Sequence, residues 1–513
     1  MKIIKSIKKF LICVFLCLSQ LIGCSVVSNE VEWESKDELV FGTTLSTKSL
    51  DPANGYSGWF LVRYGVAETL FKLDDNMETI PWLAEDYEML DNNTWKIKIK
   101  ENVKFHNGKN LTAEAVKASI ERTLKLNARA NSTLKIENIN VEKNNLIITT
   151  SEENPTLIND LCEPFVAIID VESDEDISTN PIGTGPFIVD EFNHSGASYF
   201  KKNSDYWDGE VKLDKIKVMP IADADTLAMA LQSGEVDVTQ GLSYSMVNLF
   251  ESDSNYKISS TDTSRVIVMY FNEKNKFLEN SNVRKAINML INKDLYSNSI
   301  LKGQATPSIG IFPSNTNYSL ESLYISYDKQ EAIEILKKEG YIDFNNDGIL
   351  DKDGQNLSLK LVTYSARAEL PSIAQAIQDD LRNVGIEIKI EISDNISDIL
   401  TAGNFDLAIY SNITSATGDP LAYLNNALRT NGASNYGNYS NSEIDNLIDK
   451  LKVEFNKEQR DILAIKIQEV ALQDNAYNFI AHMKMSFVMK NNVTGISPHP
   501  TDYYQFTANT DIE

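Results

Sequence analysis

Cysteine and histidine are scarce in this sequence, which has four of each in 513 residues. Cys13 and Cys17 lie in an apolar N-terminal segment, and Cys24 directly follows it. Only Cys162 remains in the body of the chain, where we expect a small buried side chain. One thiol makes neither an internal disulfide nor a cysteine-rich metal site. The histidines are scattered, and none stands at metal-site spacing from another.

Basic residues are also few, since 48 lysines and arginines face 73 aspartates and glutamates and the net charge is −25. Binding to nucleic acid requires clustered basic residues that neutralise phosphates, so this balance excludes nucleic acid as a partner. It is equally unfavourable for adsorption to anionic lipid. Such acidity is typical of the well-solvated surface of an exported protein.

The common catalytic motifs are missing. There is no His-Glu-x-x-His pair, no Gly-x-Ser-x-Gly elbow and no phosphate-binding loop that ends in Gly-Lys-Ser or Gly-Lys-Thr. The stretch 343–351 begins like a calcium-binding EF-hand loop, but its twelfth position is Gly354 instead of the closing glutamate. We interpret it as a polar surface turn, and we expect no enzyme.

The first 23 residues have the features of a targeting segment. Four lysines precede an apolar stretch at 10–23, which is too short to cross a bilayer comfortably. The stretch ends in Leu-Ile-Gly before Cys24, which resembles the lipobox of bacterial lipoproteins. That resemblance implies a cleaved signal peptide at 1–23, a lipidated Cys24 and a polar tether at 24–37. The alternatives are an ordinary signal peptide or an uncleaved anchor.

Strand and helix patterns alternate along the rest of the chain. Strands are predicted at 38–44, 94–100, 215–219, 266–272, 358–364, 387–392 and 407–410. Helices are predicted at 51–73, from Thr112 onward, and at 223–233, 282–291, 329–339, 371–384, 442–454 and 457–473. This alternation is typical of α/β proteins with partly parallel sheets.

Six stretches carry a family resemblance. They are 81–84 (Pro-Trp-Leu-Ala), 103–116, 183–187 (Gly-Thr-Gly-Pro-Phe), 203–207 (Asn-Ser-Asp-Tyr-Trp), 231–237 and 283–293. By their order and spacing, the chain is identified as a member of the peptide/nickel family of extracellular solute-binding proteins of ABC importers. The tryptophans Trp82 and Trp207 are expected to fill the core.

The resemblance implies a two-lobed α/β fold, the type 2 periplasmic-binding fold, with an extra subdomain in the first lobe. The expected boundaries are lobe I at 38–270, its subdomain at 75–180, lobe II at 271–485 and the return to lobe I at 486–513. The implied protein is a membrane-anchored monomer on the extracytoplasmic face. It needs no cofactor, and it delivers solute to a permease and its ATPase.

The family divides mainly into carriers of di- and oligopeptides and carriers of metal chelates, chiefly nickel. Peptide carriers hold the ligand's ammonium group with an aspartate four residues before the proline of an Asp-Pro or Glu-Pro pair. Here the pair is Asp419-Pro420, and the position four before Pro420 is Ala416. The peptide clamp is therefore missing, and Asp419 is expected to help the turn and the helix start.

The resemblance makes His482 the candidate metal ligand. The stretch 480–488 resembles a segment in which some nickel-binding members place a histidine facing the cleft, and neutral imidazole is a good ligand for Ni²⁺. The alternative is an interior histidine without a metal. Nickel carriers often have tryptophan and tyrosine where this chain has Thr414 and Gly418, which puts an identical chelator and pose in doubt.

Arg129 is the candidate cation that would bind the chelator's carboxylate. Nickel carriers often have an Arg-Pro-Phe-Arg run where this chain has Glu-Pro-Phe-Val at 163–166. Arg129 lies on a turn after the first-lobe helix, and a guanidinium suits bidentate carboxylate binding. The alternative is a solvated turn residue.

The remaining candidates are ligand contacts. Tyr56 and Trp59 lie where family members present ligand-contacting side chains, and Thr414, Tyr436 and Thr501 are added from lobe II and the C-terminal crossing. The preferred ligand is nickel, or a similar divalent metal, chelated by a small organic carboxylate such as histidine. The alternatives are a short peptide recognised mostly through its backbone, and a sensing lipoprotein that presents ligand to a receptor.

Overall fold

The structure is a computed structural model that describes residues 37–322 and 325–513. The strands up to the first central strand are β1 (Glu38–Thr43), β2 (Phe71–Leu73), β3 (Thr79–Pro81), β4 (Ala84–Asp91), β5 (Thr94–Ile99), β6 (Ile136–Glu142), β7 (Asn145–Thr150), β8 (Phe187–Glu191), β9 (Ser198–Lys202), β10 (Lys215–Pro220), β11 (Val238–Gln240) and β12 (Tyr256–Phe271). The later strands are β13 (Ala305–Pro307), β14 (Asp351–Lys352), β15 (Gln355–Asn356), β16 (Ser358–Thr363), β17 (Glu387–Ile392), β18 (Leu407–Ile413), β19 (Tyr477–Lys490), β20 (Val493–Thr494) and β21 (Asp511–Ile512).

Helices alternate with these strands. They are α1 (Ser57–Arg63), α2 (Ala113–Leu126), α3 (Ala128–Leu134), α4 (Leu157–Asp160), α5 (Ala224–Ser233), α6 (Tyr244–Leu249), α7 (Ser281–Met289), α8 (Lys293–Leu295), α9 (Lys329–Lys338), α10 (Glu369–Arg382), α11 (Ile396–Ala402), α12 (Leu421–Ala427), α13 (Ser442–Val453) and α14 (Lys457–Gln473). A 3₁₀ turn, Pro164–Val166, and a π-helical turn, Tyr296–Ile300, complete the set. No helix in the described ranges is long and apolar enough to cross a membrane.

One large sheet runs through the molecule in the order β17-β16-β18-β12-β19-β11-β1-β10-β9-β8, with β13 beside β19. Strand β16 is parallel to β17 and β18, and β1 is parallel to β10 and β11. The long central strands β12 and β19 are antiparallel and join the two halves of the sheet. The predicted α/β architecture with partly parallel strands is confirmed.

The apolar core divides into separate clusters around this sheet. Two clusters lie around β16, β18 and helices α7, α10, α13 and α14. Two others lie around β1, β8–β11 and the C-terminal segment. A fifth fills the four-stranded antiparallel sheet β4-β5-β7-β6 and the helix α2 that covers it. These clusters form two lobes and an additional subdomain.

Local sequence signals account for several helix boundaries. Helix α2 begins where the Thr112 hydroxyl accepts a hydrogen bond from the Ala115 amide at 3.2 Å. Helix α14 begins in the same way at Asn456, whose side-chain oxygen accepts from the Gln459 amide at 3.0 Å. Helix α5 ends at Gly234, whose φ of 81° is the left-handed conformation that glycine favours.

Two of the family stretches meet at one buried carboxyl group. Glu68 accepts hydrogen bonds from Thr184 and Tyr206 at 2.7 Å and from the Trp207 indole at 2.8 Å. A Cβ at Gly183 would lie 2.1 Å from a backbone carbonyl oxygen, so only glycine permits this close approach. Burial raises the pKa of Glu68 to about 7. These stretches therefore build the scaffold of lobe I.

The long helix predicted at 51–73 is wrong. Only Ser57–Arg63 is helical, and Phe71–Leu73 is a strand that pairs with Thr79–Pro81. The chain leaves the helix at Gly65, whose φ is 63° and whose missing Cβ lets the chain pass a backbone carbonyl 2.6 Å away. The apolar composition indicated burial, but tertiary packing determined the type of element.

Candidate functional site

The two lobes face each other across a cleft that contains a small chamber, here called the first chamber. Its lining includes Trp59 and Arg63 of α1, Arg265 of β12, Ile413 of β18 and Tyr503 of the C-terminal segment. Its volume is about 90 Å³. Ile413 is the last residue of a strand in the parallel part of the sheet, and ligands of open α/β sheets bind beyond such carboxyl ends.

Arg63 lies on the lobe I side of this chamber and is already neutralised. Its Nε donates to the carbonyl oxygen of Asp502 at 2.7 Å, and its guanidinium pairs with the Asp502 carboxylate. The side-chain amides of Gln240 and Gln505 donate to the same carboxylate, each at 2.8 Å. Burial raises the pKa of Asp502, and the charge of Arg63 opposes that rise. The pair fixes the C-terminal segment against α1.

Aromatic rings form the lobe I wall. The ring centre of Trp59 lies 4.7 Å from that of Tyr56 and 6.2 Å from that of Tyr503. Trp59 is half-buried, whereas Tyr56 is 58% exposed at the outer edge. Thr501 also lines the first chamber, and its hydroxyl lies 2.7 Å from Nδ1 of His499. The structure thus brings Trp59 and Thr501, two of the predicted contacts, to one chamber.

Arg129 lies behind this wall and is not among the residues that line the first chamber. Its guanidinium is 4.8 Å from the ring centres of both Tyr56 and Phe165, and it pairs with the Glu163 carboxylate at 3.4 Å. Burial raises the pKa of Glu163, while Arg129 lowers it. In this position Arg129 supports Tyr56 through cation–π contact. Its predicted role as a carboxylate ligand remains a prediction.

Arg265 is the arginine of the first chamber that forms no ion pair within the described residues, although the charges of Asp502 and Glu369 act on it from beyond ion-pair distance. Of the nine arginines in the sequence, seven form ion pairs, and Arg382 is exposed at the end of α10. Within residues 37–322 and 325–513, the Arg265 side chain has neither a hydrogen bond nor an ion pair. Burial lowers the pKa of Arg265 to about 10, and the nearby charge of Arg367 adds to this effect. A carboxylate would supply the missing counter-ion.

A second chamber adjoins the first and has a volume of about 250 Å³. The two chambers share Thr263, Arg265 and Met485 as lining residues. The second chamber also has Arg367 from lobe II and Lys484 from β19 in its wall. Arg265 therefore lies at the junction between the two chambers.

Direct contacts between the lobes show that the cleft is closed. The Lys457 ammonium pairs with Glu78 of the subdomain at 2.7 Å. On the same side, the Asn159 amide donates to the backbone carbonyl of Thr417 at 3.0 Å. These contacts bring the turn after β2 and the end of α4 against lobe II.

Two further predicted contacts belong to lobe II and lie outside the first chamber. Thr414 is 2% exposed, and its hydroxyl donates to the backbone carbonyl of Ser264 at 3.1 Å. Tyr436 is half-buried against Tyr270 and Tyr410, at ring-centre distances of 5.5 and 6.5 Å. Thr414 holds β18 to β12 at the chamber wall, so its hydroxyl is already engaged.

His482 lies on β19 and is 3% exposed. Its Nε2 is 3.4 Å from the Ser308 hydroxyl, and burial lowers its pKa to about 4. It is not among the residues that line either chamber. These contacts favour the alternative kept open above, an interior histidine with a polar neighbour. Its role as a metal ligand remains a prediction.

The other singled-out residues have simple placements. Cys162 is 1% exposed and is a buried free thiol, as predicted. In the EF-hand-like stretch the Asp343 carboxylate accepts hydrogen bonds from the amides of Asp347 and Gly348. The polar groups of this surface turn therefore bind one another. The described residues contain no group of three or more potential metal ligands. Cys24, the predicted lipidation site, lies outside the described residues.

Sequence reasoning missed the most informative side chain of the cleft, Arg265. The stretch Thr-Ser-Arg at 263–265 directly precedes a predicted strand, and arginine is rare in this chain. Those two signals mark Arg265 as a candidate. Whether Arg265 forms an ion pair depends on residues far away in the sequence, so the sequence alone does not show that it forms none.

A family match covers residues 78–435 and is described as "Bacterial extracellular solute-binding proteins, family 5 Middle". The chain is 30% identical over 506 residues to the nickel-binding protein NikA of Staphylococcus aureus, covering 98% of this chain and 99% of that one. It is 26% identical over 454 residues to the oligopeptide-binding protein AppA of Bacillus subtilis, covering 84% and 83%.

Solved structures give the same picture. A nickel ABC transporter protein from Bacillus halodurans matches with a TM-score of 0.86 at 31% identity, over 93% of this chain and all of that chain. The S. aureus NikA structure in complex with Ni(L-His)₂ matches with a TM-score of 0.73 at 30% identity, with the same coverage. These matches confirm the two-lobed type 2 periplasmic-binding fold.

Proposed function

Because the chain belongs to the family 5 bacterial extracellular solute-binding proteins, and so serves as the substrate-binding protein of an ABC importer and not as an enzyme, we propose that its cargo is a metal chelate. The metal is nickel or a similar divalent ion, and the chelator is a small carboxylate such as histidine. The S. aureus relative, which is crystallised with Ni(L-His)₂, supports this choice.

The observation that carries the proposal is the unpaired Arg265 beside the aromatic wall. A guanidinium in a cleft binds a carboxylate by two parallel, charge-assisted hydrogen bonds. The rings of Trp59 and Tyr503 offer a flat apolar surface for an imidazole ring or a similar chelator. The chelator supplies most ligands of the metal, and His482 remains the predicted protein ligand.

The peptide alternative has less support in the cleft. Ala416 lines the first chamber at the position where peptide carriers have the aspartate for the ligand's ammonium group. Asp419 is engaged, since its carboxylate pairs with Arg460 at 2.6 Å and accepts the Leu421 amide at 2.8 Å. Neither residue offers a free carboxylate to a peptide N-terminus.

The proposal includes export and anchoring. Cleavage after residue 23 and lipidation of Cys24 would tether a monomer to the extracytoplasmic face of the membrane. The lobes, at 38–270 with 486–513 and at 271–485, would close on the cargo around β12 and β19. The closed form would then be recognised by the permease, since a ligand closes the lobes only through its higher affinity for the closed state.

Calorimetry on the lipid-free protein that begins at Ser25 tests the proposal. The ligands are Ni²⁺ alone, L-histidine alone, Ni²⁺ with L-histidine, and a mixed peptide pool. We expect strong binding only when metal and histidine are present together. Binding of peptides without a response to the metal would assign the protein to the peptide branch.

Arg265→Ala tests the carrying observation. We expect a loss of affinity for the nickel–histidine complex of roughly 10- to 100-fold, because a charge-assisted bidentate contact disappears. The matched control is Arg382→Ala, which removes an exposed arginine that lines neither chamber and should leave the affinity unchanged. Equal affinities for the two variants would contradict the role of Arg265.

A further inference from the structure

The first chamber is too small for a whole chelate. Its volume is about 90 Å³. Small-molecule sites in proteins usually measure about 300–1,000 Å³. The second chamber, of about 250 Å³, shares Thr263, Arg265 and Met485 with the first. A cargo of chelate size must therefore extend past Arg265 into the second chamber.

The lining of the second chamber is positive in a strongly acidic protein. Its charged residues are Arg265, Arg367, Lys484 and Glu369, so three cations face one anion and the local net charge is +2. The whole chain, in contrast, carries a net charge of −25. A cleft lined by charges of one sign focuses the electric field and attracts a ligand of the opposite charge.

The acidic residue offsets only part of the positive charge of this cluster. The Glu369 carboxylate lies 3.9 Å from the Arg367 guanidinium, at the far limit of an ion pair, and it is 8% exposed. Lys484 donates to the backbone carbonyl of Gly303 at 3.2 Å and has no ion pair in the part of the chain that the structure describes. Burial lowers the pKa of Arg265, and the charge of Arg367 adds to this effect while Asp502 and Glu369 oppose it. An anion that enters between these cations would relieve their mutual repulsion.

The geometry points to a second anion subsite, in which Arg367 and Lys484 bind a second carboxylate of the same cargo while Arg265 binds the first. The cargo class is accordingly a chelate with at least two carboxylate groups, such as a bis(amino acid) or polycarboxylate complex. This inference rests on the proposed function, because it specifies the charge of the solute that the cleft captures.

Two single substitutions with opposite expected effects on affinity test the subsite, by calorimetry on the protein that begins at Ser25. Arg367→Ala removes the cation, and we expect it to weaken binding of the Ni²⁺–bis-histidine and Ni²⁺–citrate complexes roughly tenfold. Glu369→Gln removes the competing acid and should strengthen binding of the same complexes a few-fold. Thermal unfolding of each variant checks that the fold is intact.

Three results would overturn the subsite. They are an affinity of Arg367→Ala within twofold of wild type, a shift of both variants in the same direction, and the loss of the Arg367 effect in millimolar phosphate. The last result would mean that the chamber holds a separate small anion.

Metal-free citrate separates this inference from the proposed function. If wild type ignores nickel complexes but binds citrate in an Arg367-dependent way, the subsite stands and the nickel proposal fails. If wild type binds nickel–histidine and Arg367→Ala has no effect, the nickel proposal stands and the subsite fails. Binding of neither ligand contradicts both.

Discussion

The arginine side chains of the cleft differ mainly in whether a neighbouring carboxylate already forms an ion pair with them. Arg63 and Arg265 line the same chamber, but in the described part of the chain the carboxylate of Asp502 forms an ion pair only with Arg63. Arg129 is occupied by Glu163 and two aromatic rings. A buried cation that lacks an ion pair has lost its hydration without compensation, so an anion that enters the cleft and pairs with it is favoured. This difference makes Arg265 the centre of the proposed recognition.

Trp59 should report ligand binding directly. Its indole ring is half-buried at the first chamber, so a bound chelate changes the polarity around it. We expect addition of nickel and histidine to change tryptophan fluorescence, and Trp59→Phe to remove most of that change. Trp95→Phe is the matched control, since Trp95 lies in the subdomain core. An unaltered response in Trp59→Phe would place the ligand elsewhere.

The buried ion pair between Arg460 and Asp419 should be a main contributor to the stability of lobe II. The exposed fractions of the two side chains are 6% and 9%, and Arg460 also donates to the carbonyls of Leu451 and Glu454. Arg460→Met leaves the Asp419 carboxylate buried without a counter-ion, with only the Leu421 amide as a hydrogen-bond donor among the residues that the structure describes. We expect the free energy of unfolding, measured with urea, to fall by about 3–5 kcal/mol.

A substitution of the other residue of this ion pair, Asp419, supplies the control. Adding Asp419→Asn to Arg460→Met removes the uncompensated charge, so the double variant should recover part of the loss. Strictly additive losses would show that the two side chains are not coupled.

At the scale of elements, the carboxyl group of Glu68 couples two family stretches and should make stability depend on pH. Burial raises its folded-state pKa to about 7 from the ordinary value of 4.5. The protonated form is favoured in the folded state, so this stabilisation is complete below pH 4.5 and is lost as the pH rises through 7. We expect the unfolding free energy to fall across that window by up to about 3 kcal/mol.

Glu68→Gln isolates this effect, because glutamine cannot ionise and still accepts hydrogen bonds through its carbonyl oxygen. Urea unfolding at several pH values should show a flatter profile for the variant than for wild type between pH 4.5 and 7. Parallel profiles would mean that the carboxyl group does not titrate in this range.

The sequence predicts elements well where local signals dominate. Helix α14, with its asparagine cap, was expected at 457–473 and is found at Lys457–Gln473. The segment 51–73 failed because its apolar residues fit both a helix and a buried strand, and Gly65 divides it. Strand β19 was not predicted because its nearly continuous burial conceals the strand period.

The candidate site was predictable only in part. Trp59 was selected through the family resemblance and Thr501 as a candidate from the C-terminal crossing, and both line the first chamber. Arg265 was missed because an unpaired charge is a property of every residue around it. His482 was selected for its chemistry, whereas its 3% exposure depends on how β13 and β19 pack together.

At the scale of the whole molecule, closure of the cleft depends on very close approach of the lobes. A Cβ at Gly418 of lobe II would lie 2.3 Å from the carbonyl oxygen of Met77 in the subdomain. We expect Gly418→Ala to hinder closure and to weaken ligand binding by more than about tenfold, since binding favours the closed state. Small-angle X-ray scattering with ligand should then show the larger radius of gyration of an open form.

Gly403→Ala is the matched control for this prediction. Gly403 has a φ of 68° and Gly418 a φ of 73°, so both alanines are strained in the same left-handed conformation. The Cβ at Gly403 meets its nearest neighbour only at 4.0 Å. The same loss of affinity in both variants would assign the effect to backbone strain and not to closure.

The most direct test of the central claim is anomalous diffraction at the nickel absorption edge, on crystals grown with Ni²⁺ and L-histidine. The account predicts one strong peak in the cleft between Trp59 and Arg265, with a carboxylate of the chelator on the Arg265 guanidinium. A nickel peak outside the cleft, or a cleft filled by peptide density without a nickel signal, would contradict it.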